Sequence, residues 1–104
     1  MPPNKNGTIL RASELIYSRD PREYKEGRAM VARLADHPHL PALRAGLQGD
    51  YRSARAAYDT ILARDPRDFT ALWASQVLDY YLGEPQALRE RTARVLAAWS
   101  AMTM

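Results

Sequence analysis

At 104 residues the chain has room for one domain and a modest core, and no stretch approaches the ~20 consecutive apolar residues that a membrane span requires. It has no cysteine, which excludes a disulfide framework and a thiolate metal site and makes a reducing cytoplasm the simplest expected compartment. The formal net charge of +3 is mild, and its arginines are interleaved with Asp and Glu, a pattern that reads first as a salt-bridged helical surface.

The first seven residues run Met1-Pro2-Pro3-Asn4-Lys5-Asn6-Gly7. No apolar stretch follows Lys5, so no signal peptide is expected and 1–7 reads as a flexible tail. A first helix is expected from Ile9 to Tyr17, with Thr8 as N-cap and Ile9, Ala12, Leu15 and Ile16 apolar. Asp20-Pro21 opens a second, because Asp caps a helix N-terminus and proline suits its first position; this helix runs to about Ala35. A short third helix lies between Pro38 and Gln48, with Pro41 confined to its first turn. Gly49-Asp50 ends it and starts a fourth, Tyr51 to Arg64, whose Tyr51, Ala54, Tyr58, Ile61 and Leu62 share one face. Asp65-Pro66 stops that helix. A fifth, Arg67 to Leu82, is apolar on a broad face and is expected to lie between neighbours. Gly83-Glu84-Pro85 leads to a sixth, from Pro85 to about Trp99. Strand signals are nearly absent, so the fold class is all-α with about six helices.

The Gly-acid corners at positions 49 and 83 stand 34 residues apart, the period of a tetratricopeptide repeat. Ala54, Tyr58 and Pro66 occupy the small, aromatic and proline positions of that motif, and Ala42 stands where a small residue allows close helix contact. The following segment departs from the motif, with Gln76, Leu88 and Thr92 at the small, small and aromatic positions. The chain is therefore read as one domain, 1–104. It has an N-terminal helix pair (8–36), a clear hairpin (39–66) and a divergent hairpin (67–104), stacked as a short right-handed solenoid of antiparallel hairpins.

From about His39 to Trp99 the chain also resembles the middle of proteins related to tetratricopeptide repeat protein 38. The residues are Gly49-Asp50-Tyr51, the run Ile61 to Asp68, Ala71-Leu72, Leu78 to Gly83, and Leu88 to Trp99. Members of that family are longer and continue into further helical repeats, so the resemblance implies a truncated member, a fragment or a short paralogue. It implies a helical-repeat fold and carries no biochemical activity across. In some tetratricopeptide proteins Lys, Asn and Arg on the inner face grip a peptide carboxylate. The matching positions here are His39, Leu43 and Ala74, which cannot do so.

If the repeat register holds, His39, Leu43 and Leu47 face inward from the third helix and Trp73, Val77, Tyr80 and Tyr81 from the fifth. Together they are the expected partner-binding surface of a non-catalytic interaction or scaffold module. The plainer reading makes Trp73 and Tyr80 core residues, with Tyr81 the more exposed. Leu96 and Trp99 are apolar near the end of the last helix and are expected to mediate homo-oligomerisation. Two other readings stand beside this one. Arg52, Arg55, Arg64, Arg89, Arg91 and Arg94 could make a basic surface for nucleic acid, although surface salt bridging accounts for them as well. Asp36-His37-Pro38-His39 could centre a metal-dependent enzyme on His37 and His39, but the spacing matches no common zinc motif and solvated loop rings are the simpler account. No cofactor is expected, and the protein is read as not an enzyme.

Overall fold

A computed structural model describes residues 5–103, with side chains described from 8 to 101. Positions 1–4 of the expected tail and Met104 lie outside the described residues. The described residues form six helices: α1 (Lys5–Ile16), α2 (Pro21–Arg33), α3 (Leu40–Leu47), α4 (Tyr51–Arg64), α5 (Phe69–Leu82) and α6 (Pro85–Thr103). None is long and apolar enough to cross a membrane.

The starts of α2, α4 and α5 are set by acidic side chains. Asp20, Asp50 and Asp68 each accept a hydrogen bond from a backbone N–H of the first turn, at Arg22, Ser53 and Ala71. Four boundaries differ from expectation by two residues or more, the first being α2, which ends at Arg33 rather than about Ala35. α1 begins at Lys5, so Thr8 is an internal residue rather than a cap, and 5–7 belong to the helix rather than to a tail. α5 begins at Phe69 because Asp68 takes the capping role. α6 continues past Trp99 to Thr103, since no Gly or Pro interrupts it.

The two glycine corners are the same structure repeated. Gly49 and Gly83 have φ of 76° and 68°, a left-handed backbone that glycine adopts without the steric cost of a Cβ. In the first corner Asp50 N–H bonds to Ala45 O at 3.0 Å and Gly49 N–H to Gly46 O at 3.1 Å. In the second, Glu84 N–H bonds to Asp79 O at 3.0 Å and Gly83 N–H to Tyr80 O at 3.1 Å. Every partner moves by 34 positions (45 to 79, 46 to 80, 49 to 83, 50 to 84), so the sequence period is also a period of backbone hydrogen bonding.

Packing follows chain order with one addition. α1 packs on α2, α3 on α4, α4 on α5 and α5 on α6, with a smaller α2–α3 contact. α1 also lies against both α3 and α5, whereas α3 and α5 do not touch each other among the described residues. The core runs through all of these contacts: Ile9, Ala12, Leu15 and Ile16 of α1, Ala42 and Leu43 of α3, Ala54 and Tyr58 of α4, and Leu72, Ala74 and Leu78 of α5. Fully burying a Leu or Ile side chain contributes about 1.5–3 kcal/mol, so this shared interior dominates the stability.

α1 and α2 approach closely at Gly27. A Cβ there would stand 2.7 Å from Leu15 Cβ and 2.9 Å from the Ile16 backbone nitrogen. Gly27→Ala is expected to destabilise the protein by about 1–3 kcal/mol through overpacking, although alanine is the better helix former. A lowered urea midpoint at constant slope is the readout. An unchanged midpoint would mean that the two backbones separate freely.

Candidate functional site

The residues expected to face a partner divide into two groups. His39 and Leu43 are 4% and 0% exposed and lie in the interior, His39 against Tyr58 of α4 and Asp68, and α3 as a whole meets α1, α2 and α4. Leu47 is half-buried against the core. A groove lined by α3 and α5 together is therefore not formed. Trp73, Val77, Tyr80 and Tyr81 instead line a surface groove of about 450 Å³ with Gln76 and with Leu88 and Thr92 of α6.

Tyrosines build one rim of this groove. Tyr80 is 61% exposed and Tyr81 37%, the reverse of the order expected. Tyr81 is held from three sides. Its hydroxyl donates to the Tyr17 carbonyl at 3.1 Å, its ring stacks on Tyr51 with centroids 5.3 Å apart, and Tyr80 meets it edge-on at 5.8 Å. These contacts join the C-terminal end of α1, the start of α4 and the end of α5, so Tyr80 projects from a fixed platform. Trp73 is half-buried, packed against the core as well as lining the groove.

The groove floor holds residues one 34-residue spacing on from two core positions. Ala42 and Tyr58 are both fully buried. Their counterparts 34 positions on, Gln76 and Thr92, form a hydrogen bond of 3.0 Å, and Thr92 donates to the Leu88 carbonyl at 2.7 Å. A polar, hydrogen-bonded pair stands 34 positions on from the buried Ala42 and Tyr58.

His39 is a buried helix-cap residue, not a solvated loop ring. Its Nε2 lies 2.9 Å from an Asp68 carboxylate oxygen, and its ring meets Tyr58 edge-on at 5.6 Å. Burial raises the Asp68 carboxyl, and the His39 hydrogen bond with the Ala71 N–H more than offsets this, so the group sits below its ordinary value. Burial also lifts the Tyr58 hydroxyl to about 12. His37 and His39 border a separate hollow of about 490 Å³ with Asp68, Phe69 and Trp99. Among the described residues no group of three or more His, Asp or Glu is arranged to hold a metal ion.

Half of the arginines considered for a basic surface are spent on acidic partners. Arg91 is buried, with Nε 2.8 Å from Asp79 and a second nitrogen 2.5 Å from Asp59. Arg55 reaches Asp79 at 3.1 Å and also pairs with Glu84, which Arg52 approaches at 3.8 Å. Arg64, Arg89 and Arg94 are exposed. Asp79 is wholly buried and was not singled out by sequence reasoning; a carboxylate within an apolar helix was the signal that could have found it. Burial pushes its carboxyl above the ordinary value, while Arg91 and then Arg55 pull the other way.

Leu96 and Trp99, expected to mediate self-association, are 60% and 53% exposed, and the Trp99 ring packs on Phe69 at 5.9 Å. Comparison of the chain with protein-family models, with curated proteins and with solved structures finds no match.

Proposed function

We propose that this protein is a non-catalytic interaction module of tetratricopeptide type, whose hairpins stack in repeat register and which holds a peptide segment of a partner in the α5–α6 groove. The observation that carries the reading is the groove itself. It is open, aromatic and uncharged, and Tyr80 projects into solvent from a platform of stacked tyrosines. Tyrosine and tryptophan supply large contact areas at small entropic cost and are the usual anchors of binding surfaces. The hydrogen-bonded corners at Gly49 and Gly83 support the repeat register, because the same bonds recur at the family's spacing. The right-handed stacking belongs to the same proposal.

The test is selection of random displayed peptides on the immobilised full chain. Enriched peptides are expected to lose at least about tenfold in affinity on Tyr80→Ala, the scale of a binding anchor, and little on Leu96→Ala, an equally exposed site outside the groove. Enrichment of nothing, or of peptides indifferent to Tyr80, would refute the reading.

A further inference from the structure

The chemistry of the groove narrows its occupant, an inference that rests on the interaction reading above. None of its lining residues carries a formal charge. A charged segment laid there would lose hydration and gain no partner. Its polar groups divide into spent and unspent. Gln76 donates to Thr92, Thr92 to the Leu88 carbonyl and Tyr81 to the Tyr17 carbonyl. The Trp73 indole N–H and the Tyr80 hydroxyl have no hydrogen-bond partner among the described residues. Tyr80 meets Tyr81 edge-on, and both line the same groove as Trp73.

Apolar ring surface combined with unspent donors selects a particular backbone. A helical segment arrives with its carbonyls already bonded internally. An ordinary extended strand brings its own N–H groups, for which the indole, a donor only, offers nothing, so that the Tyr80 hydroxyl and the Gln76 side-chain oxygen are left to accept from them. A polyproline II segment has carbonyls without internal partners, prolines without N–H groups, and flat rings that lie on aromatic faces. Its fixed φ also reduces the entropy lost on binding.

We propose that the α5–α6 groove binds a proline-rich segment in polyproline II conformation, with Tyr80 and Trp73 packing on proline rings and donating to the segment's carbonyls. The direct test is titration of fluorescein-labelled decaproline with the full chain carrying Trp99→Phe, so that Trp73 is the sole tryptophan reporter. Saturable anisotropy with a matching change in Trp73 emission is expected. Tyr80→Ala should weaken binding at least about tenfold, as loss of an anchor does. Trp73→Phe keeps a ring, removes the donor and should cost roughly three- to tenfold. A severalfold rise in salt should leave affinity within about twofold, because no ion pair is screened. Tyr80 is exposed, so its variant should retain the parent's circular dichroism and melting temperature, and those measurements accompany the titration.

Equal binding of a glycine-serine peptide of the same length, or decaproline binding that survives both substitutions, overturns the proposal. Failure of decaproline while display-selected peptides still require Tyr80 overturns the polyproline assignment and leaves the interaction reading intact. Failure of both removes both.

Discussion

Asp79→Ala is expected to destabilise the protein by about 3 kcal/mol or more, among the largest effects of any single substitution in the chain. The carboxylate is wholly buried and faces two guanidiniums, Arg91 at 2.8 Å and Arg55 at 3.1 Å. Alanine leaves both cations without their central partner, and Arg91 is itself buried. Arg91 keeps Asp59 and Arg55 keeps Glu84, which holds the loss toward the lower end of the roughly 3–5 kcal/mol typical of a broken buried pair. Denaturant unfolding at constant slope measures it. Replacing the whole group, with Asp79→Leu, Arg91→Leu and Arg55→Met together, is expected to recover most of the loss, because apolar substitutes of similar volume often match a buried ionic cluster. A triple variant less stable than Asp79→Ala would show that the charges do more than compensate one another.

Tyr58→Ala should cost about 3–5 kcal/mol, the range for deleting a large aromatic from a packed interior. Tyr58 is 0% exposed and belongs to the same core as α1, α3 and α5. It also forms the wall against which His39 is held while bonded to Asp68. The substitution therefore opens a cavity and loosens the joint between the α2–α3 connection and the start of α5. Tyr51→Ala is the comparison: Tyr51 is half-buried and should cost clearly less in the same thermal melt. Equal losses at the two sites would mean that the interior around Tyr58 collapses to fill the space.

Features written in a few adjacent residues were legible in the sequence. Asp20-Pro21, Gly49-Asp50 and Gly83-Glu84 each specify a stop or a start through local backbone chemistry, and all lie where the pattern placed them. The six helices and the sandwiched position of α5 followed from periodicity. Features that depend on which helix meets which did not follow. His39 reads as a loop residue until Tyr58 of α4 and Asp68 are seen to enclose it. The partner-facing surface was assigned to α3 and α5 jointly, and the placement of α1 against both divided it. Arg91 sits on a helix rich in arginine and looks like its neighbours Arg89 and Arg94. Only Asp79 and Asp59, brought up by other helices, distinguish it. Tyr80 and Tyr81 are adjacent and chemically identical, so their exposure was settled by Tyr17 and Tyr51, which lie far away in the sequence.

The contact of α1 with α5 alters how the chain comes apart. A linear array of repeats can lose an end unit and keep the rest, since each unit touches only its neighbours. Here the first and fifth helices share an interface, sealed by the Tyr81 hydroxyl on the Tyr17 carbonyl. Fraying from the amino end strips apolar cover from the middle of the molecule as well, so the amino end and the centre are coupled, whereas α6 touches α5 alone. During synthesis the apolar face of α1 must likewise wait until α5 is made before its last neighbour arrives, a long-range closure that slows folding.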